Sequence, residues 1–272
     1  MRLDRALVAR GLARSRTHAQ HLIAADAVTV NAVVVTRAST PVAEDAHIAV
    51  TDDGYVSRAA HKLIGALDSC APLGLSVAGR RALDAGASTG GFTQVLLERG
   101  TAHVTAVDVG HGQLAPSVAS DPRVTAIEGL NVRELTRADL PGPVDLVVAD
   151  LSFISLTVVT RALVAAMASG DLVLMVKPQF EVGKERLGAG GVVTQPDDHA
   201  RAVATVANAL VTEGAVIHSV ERSALPGLTG NVEFFIWASS AWQARDAGGP
   251  QRPLLNDAAL AAAVETVTKG RL

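Results

Sequence analysis

Apolar and polar positions follow two rhythms along this 272-residue chain. From Arg81 onwards, short and nearly continuous apolar runs recur at 82–84, 103–108, 124–128, 145–150, 171–176, 216–220 and 232–238. Segments of helical period lie between most of them, notably Thr93–Arg99, Thr157–Met167 and Asp197–Glu213. Strands that lack alternation are buried on both faces, so the pattern predicts an α/β fold: a mostly parallel seven-stranded sheet covered by helices. Before Arg81 the elements are shorter. Leu3–Arg10, stopped by Gly11, and Ser15–Ala25 read as two helices, with Ser15 as an N-cap and Ala19, Leu22 and Ile23 on one face. Val28–Val30 and Val33–Val35 read as a strand pair around Asn31-Ala32. Residues 44–54 carry four acidic residues and a glycine, a final strand and a linker; Tyr55–Leu67 is a lead-in and an amphipathic helix. The expected division is a small α+β module over 1–52, a linker over 53–60, the α/β domain over 61–240 and a tail over 241–272. The tail reads as an irregular stretch to 256, then a helix Asp257–Lys269 capped by Asn256 or Asp257.

The stretch Arg81–Phe92, RALDAGASTGGF, organises the larger part. A short strand runs into Asp84, then into a glycine turn (Gly86, Gly90, Gly91) that opens a helix. Such a turn brings backbone close to a ligand and offers free N–H groups at the helix start. The spacing is not that of dinucleotide binders, and no lysine follows in the manner of a phosphate-binding loop. A second strand ends in Asp108, placed to accept hydrogen bonds from a ribose diol. A nucleoside cofactor without pyrophosphate fits this pattern, and S-adenosylmethionine is the candidate. Asp84, Ser88 and the glycine backbone would hold its methionine end and Asp108 its ribose. A side chain near Glu128–Asn131 would meet the adenine.

Composition narrows the classes. The 49% hydrophobic share supplies a core, while a 3% aromatic share argues against extended stacking platforms for single-stranded nucleic acid. With one cysteine, Cys70, no internal disulfide or cysteine-rich metal site can form, and the eight histidines show no ligand spacing. No apolar run approaches membrane-spanning length and no signal-peptide pattern opens the chain, so a cytoplasmic protein is expected, with no membrane or metal partner. The net charge of −3 conceals six arginines against two aspartates in residues 1–37. Arg2, Arg5, Arg14 and Arg16 there, and Arg58 further on, are candidates for RNA phosphates.

Three more polar residues stand where strands end: Asp150 after VDLVVA, Lys177 after DLVLMV and Glu233 in GNVEFF. Residues past the carboxyl ends of strands line the crevice of an open α/β sheet. A lysine after five apolar residues needs carboxylate partners if it is buried, and Asp150 and Glu233 can provide them.

The order Ser57-Arg58…Lys62-Leu63, Asp84-x-Gly86…Gly90-Gly91-Phe92, Val148-Ala149-Asp150-Leu151-Ser152-Phe153, Val176-Lys177-Pro178-Gln179-Phe180 and Gly230-Asn231-x-Glu233 resembles the TlyA (haemolysin A) family of ribosomal RNA 2′-O-methyltransferases. These join an S4 RNA-binding module to an FtsJ-like methyltransferase domain, and the resemblance covers about residues 2–238. Residues 2–50 resemble the S4 module, with Asp26 and Ala32 where that module usually has glycine. Ala59 stands where the family often has glycine. The resemblance implies a Rossmann-like S-adenosylmethionine-dependent fold whose last strand runs antiparallel. It implies a catalytic tetrad on Lys62, Asp150, Lys177 and Glu233, and cofactor contacts from Asp84, Gly86, Ser88, Gly90, Gly91, Phe92, Asp108, Asn131 and Asp150. It also implies cytidine 2′-hydroxyls of 23S and, in some members, 16S rRNA as substrates, with ribosomal subunits as partners. Lys177 is the candidate base. Three other classes compete: a non-catalytic ribosome-bound protein, a membrane-lytic protein and an NAD-dependent enzyme. The complete tetrad, the absence of a spanning segment and the glycine spacing count against them in turn. Oligomeric state is left open.

Overall fold

A computed structural model describes residues 1–13, 15–24, 26–51, 54–240 and 252–269. The expectations for Arg14, for the end of the module at 52 and the start of the linker at 53, and for the tail over 241–251 and 270–272 fall outside the described residues.

The N-terminal elements are α1 (Leu3–Ala9), α2 (Arg16–Ala24), β1 (Val28–Val30), β2 (Val33–Val34) and β3 (Ile48–Val50). The strands form an antiparallel sheet in the order β2-β1-β3. Leu3, Leu7, Ala19, Ile23, Val28 and Ile48 make a core of their own. Ser15 caps α2 as expected, its Oγ accepting the His18 N–H at 3.1 Å. The β1–β2 turn places both Asn31 (φ 51°) and Ala32 (φ 65°) in the left-handed region, with Val30 opposite Val33. Asparagine tolerates that conformation; alanine occupies it only because a two-residue hairpin demands it of both positions.

The larger part follows as α3 (Ala59–Cys70), β4 (Arg81–Ala85), α4 (Gly91–Glu98), β5 (His103–Asp108), α5 (Pro116–Ala119), β6 (Val124–Glu128), β7 (Leu146–Ala149), α6 (Leu156–Ala166), β8 (Asp171–Val176), α7 (Pro178–Glu181), α8 (Pro196–Thr212), β9 (Ala215–Arg222) and β10 (Phe234–Ser240). The seven strands lie in the order β6-β5-β4-β7-β8-β10-β9. β10 runs antiparallel to both neighbours. β4 through β8 pair in parallel. Strand β8 shows why the apolar runs are continuous: Leu172, Leu174 and Val176 enter one core, and Val173 and Met175 enter the core on the other face. The chain winds outward in opposite directions from β4 and β7. That reversal opens a crevice beyond their carboxyl ends.

At the other end of β8, Asp171 is fully buried beneath a strap formed by residues 252–255. Arg80 Nη2 and Arg252 Nη1 each lie 2.7 Å from its carboxylate, and Trp237 Nε1 donates to it at 3.0 Å. The Pro253 carbonyl contacts His218 Nδ1 at 2.6 Å, and Leu255 N–H donates to the Ile217 carbonyl at 3.0 Å. The terminal helix Asp257–Lys269 follows, with Asn256 Oδ1 accepting the Ala259 N–H at 2.9 Å.

Candidate active site

Four charged side chains from four elements meet at the carboxyl edge of the sheet. Lys62 comes from α3, Asp150 follows β7, Lys177 follows β8 and Glu233 precedes β10. They pair in twos: Lys62 Nζ lies 2.6 Å from Glu233 Oε2, and Lys177 Nζ lies 2.6 Å from Asp150 Oδ1. Lys177 also donates to Ser152 Oγ at 2.9 Å. Both lysines are only 9% exposed and Glu233 only 3%. An ammonium so deeply buried is tolerable only beside a carboxylate, which explains why the lysines and acids occur in equal number. All four residues line one cavity of about 510 Å³.

A second cavity, about 580 Å³, adjoins it and is lined by Ser88, Asp108, Asn131 and Arg133 among others. Gly86, Ser88, Asp150, Ser152 and Phe153 belong to both, so the two spaces share a wall at Asp150. Gly86 has φ 84°, and a Cβ there would stand 2.8 Å from the Asp150 carbonyl oxygen. Only glycine lets β4 and β7 deliver their loops this close together. Asp108 ties the turn to its own strand, accepting the Ser88 N–H at 2.8 Å and the Gly110 N–H at 2.7 Å. Asp84 is fully buried. Thr93 donates to its Oδ2 at 2.7 Å, while Oδ1 has no hydrogen-bond partner. Burial pushes its carboxyl up to about 7, against the Thr93 hydrogen bond and with the charges of Asp150 and Asp108 adding to the rise.

These features fit the methionine and ribose ends of S-adenosylmethionine. The side-chain-free turn beside Asp150 and the Asp108 carboxylate in the second cavity are what a nucleoside ligand can use, whereas Asp84, fully buried, lines neither cavity and supports the turn from behind through Thr93. Other residues expected at the cofactor serve differently. Gly90 (φ 98°) lines neither cavity; a Cβ there would strike Leu114. Gly91 abuts Ser57, and Phe92 is buried against Phe235 with ring centroids 6.2 Å apart, though both reach the catalytic cavity. Asn131 lines the second cavity, but its Oδ1 accepts the Arg133 N–H at 3.1 Å.

The described arginines expected at RNA occupy three settings. Arg2 and Arg16 converge on buried Asp4, with Arg2 Nε and Arg16 Nη2 each 3.0 Å from its carboxylate. Arg2's hydrogen bond, with Arg16 adding, holds that carboxyl well below the usual range. Arg5 is exposed on α1. Arg58 lines the catalytic cavity, together with Asp26 from the N-terminal part. Asp26 adopts φ 58°; burial pushes its carboxyl up while Arg58 and Lys62 pull it down.

Ser152 and Phe153 were legible only as parts of a motif. Phe153 is 92% exposed with φ 64°, and its ring lies 5.4 Å from that of Phe180 at the cavity mouth. A large apolar side chain held in a strained backbone and left in solvent marks a contact surface. Its sequence signal is one of only five phenylalanines in a chain poor in aromatics, standing directly after a strand-end aspartate and two further residues. Among the described residues no cluster suited to a metal ion is present, and no helix is long and apolar enough to cross a membrane.

Comparison with known proteins gives matches over both parts. The family model for FtsJ-like methyltransferases matches residues 55–240, and that for the S4 domain matches residues 1–48. The 16S/23S rRNA (cytidine-2′-O)-methyltransferase TlyA of Mycobacterium tuberculosis is 52% identical over 240 residues, covering 87% of this chain and 88% of its own. The 23S rRNA (cytidine-2′-O)-methyltransferase TlyA of Campylobacter jejuni is 33% identical over 67% of this chain and 70% of its own. A solved structure from Streptococcus thermophilus, described as a hemolysin, superposes with a TM-score of 0.72 at 31% identity and covers 99% of this chain and 96% of its own.

Proposed function

The chain belongs to the TlyA family of FtsJ-like methyltransferases, and we propose that it methylates a cytidine 2′-hydroxyl of 23S rRNA, and of 16S rRNA where both subunits are substrates, using S-adenosylmethionine. The observation that carries this reading is the pair of buried ion pairs, Lys62–Glu233 and Lys177–Asp150, set around one cavity whose wall at Asp150 is shared with the glycine-turn cavity.

Gly86 and Ser88 would hold the methionine end of the cofactor, with Asp84 behind their turn; Asp108 would hold its ribose, and the residues around Asn131 its base. Bound there, the cofactor supplies a methyl group already activated on a sulfonium. The protein's remaining task is to align the hydroxyl and remove its proton. Lys177 Nζ, aimed by Asp150 and Ser152, accepts that proton when it enters the step as a neutral amine, having first given one of its own ammonium protons to solvent. Lys62, held by Glu233, faces the ribose or the adjoining phosphate. Phe153, paired with Phe180, offers a stacking face to a base turned out of its helix, since a 2′-hydroxyl within a duplex cannot enter a cavity this deep.

The division of labour follows the chain: residues 1–52 grip RNA through Arg5, Arg14 and the outward faces of Arg2 and Arg16, 53–60 link, 61–240 carry out the transfer, and 241–272 form a tail. Arg58 supplies a positive charge at the cavity itself. Such an enzyme works among ribosomes, in the cytoplasm. The test is transfer of labelled methyl from S-adenosylmethionine to unmodified ribosomal subunits by the wild type and by Lys177→Ala. Label in RNA with the wild type alone supports both reaction and site; equal label with both removes Lys177 from the chemistry.

A further inference from the structure

The two loops that build the catalytic cavity are joined a second time, away from the reacting groups. One loop runs from Asp150 to the start of α6 at Leu156; the other is the turn Lys177 to Glu181. At one end they meet through Lys177, which contacts both Asp150 and Ser152. Midway, the rings of Phe153 and Phe180 meet at a tilt of 48°. At the far end Glu181 closes the arrangement: its Oε2 accepts the Ser155 hydroxyl at 2.6 Å, and its Oε1 accepts the Leu156 N–H at 2.8 Å. Ser155 is itself the N-cap of α6, accepting the Thr157 N–H at 3.2 Å. Glu181 thus adds a carboxylate to a helix N-terminus, where negative charge and extra acceptors are both favourable. It lines neither cavity, so it touches neither the space for RNA nor that for the cofactor.

The bridged loop needs such a brace. It holds Phe153 in a left-handed conformation with its ring almost wholly in solvent; Leu151 and Ile154 pack against the core, but Ser152 and Phe153 between them do not. It also carries Asp150 and Ser152, whose oxygens must reach a single ammonium on the opposite loop. Small errors of placement in such a set are expensive in rate.

We propose that Glu181 is a positioning residue for methyl transfer, keeping Asp150, Ser152 and Phe153 in register with Lys177 by pinning the far end of their loop. This rests on the tetrad reading above. Glu181→Gln preserves the bridge, because its carboxamide oxygen can accept from Leu156 N–H while its amino group donates to Ser155 Oγ. Glu181→Ala removes it.

The experiment measures kcat and KM for unmodified ribosomal subunits with the full-length protein, beside thermal melting. Glu181→Ala is expected to lower kcat by about ten- to a hundredfold, with a smaller change in KM, and Glu181→Gln to recover to within about threefold of wild type. Ser155→Ala, which removes one arm of the brace, is expected to show the same split more weakly; it carries the test if Glu181→Ala does not fold. Wild-type kcat in the folded variants would overturn the proposal. So would equal losses in Glu181→Ala and Glu181→Gln that merely track lost melting temperature. Lys177→Ala, run alongside, separates the two levels. If it stays active the tetrad reading itself falls; if it is dead while Glu181→Ala turns over normally, only the brace falls.

Discussion

Strand β8 has a buried charge at each end, and the two are held in opposite ways. At its start Asp171 receives Arg80, Arg252 and Trp237, so that both carboxylate oxygens are engaged and the side chain is closed off from solvent. Just past its end Lys177 has the Asp150 carboxylate and the Ser152 hydroxyl, and faces open space. An ammonium has three protons to give, and these contacts leave capacity for a third. The surroundings repeat the contrast. Among the described residues, three of the four buried side-chain polar atoms without a hydrogen-bond partner are Asp84 Oδ1, Asp150 Oδ1 (whose contact with Lys177 is ionic) and Gln179 Oε1, all at the cavity end. A buried charge whose partners saturate it serves the fold. One left short of partners beside a cavity has bonding to offer a substrate.

That contrast can be broken in three places. Lys177→Arg keeps the positive charge but supplies no useful base, so the rate of methyl transfer should fall by about a thousandfold while the melting temperature stays close to wild type. Near-normal turnover would mean that the charge alone matters there. Asp171→Ala should do the reverse. Leaving two partly buried guanidinium groups without their carboxylate costs about 3 kcal/mol, a drop in melting temperature of roughly 6–12 °C, with the rate of the folded fraction preserved. A melting temperature like that of the wild type would show that the cluster is not a fold-holding one.

The third place is Asp84, which belongs to the reactive end but is held by one hydrogen bond. Its folded carboxyl titrates at about 7, above that of an unfolded aspartate. The folded state therefore binds the proton more tightly, and the stability this contributes is complete below the unfolded value near 4 and lost as pH rises through about 7. Melting of the cofactor-free protein across that window should fall further for the wild type than for Asp84→Asn. Parallel melting curves for the two proteins would show that Asp84 is already ionised in the folded state.

The large sheet was legible because each of its central strands is apolar on both faces, and that pattern has few other solutions. The run at 171–176 became β8 to the residue, and the run at 103–108 became β5. The edge of the sheet was read less well: the run at 216–220 lies within a longer β9, whose last residues, Glu221 and Arg222, lack the apolar signature. At the site, the sequence supplied the four charged residues but not their pairing. Which lysine meets which acid depends on how α3 crosses the sheet, and no spacing encodes that. Asp4 is the clearest omission. As one acidic residue on a short helix it reads as solvated, and only the packing of α1 against α2 buries it and draws in Arg2 and Arg16. Glu181 was passed over for a related reason: its partners come from a different loop, 25 and 26 residues earlier in the chain.

The strap over residues 252–255 has a consequence outside catalysis. β9 is the last strand in the order of the sheet, and its outer side would otherwise present open main-chain carbonyls and amides to solution. Leu255 already occupies the Ile217 carbonyl, and Arg252 and Pro253 fasten the segment to Asp171 and His218. A strand from another molecule that tried to extend the sheet there would first have to peel this segment away. The strap thereby guards the chain against edge-to-edge aggregation, at a cost of four residues and well away from the chemistry.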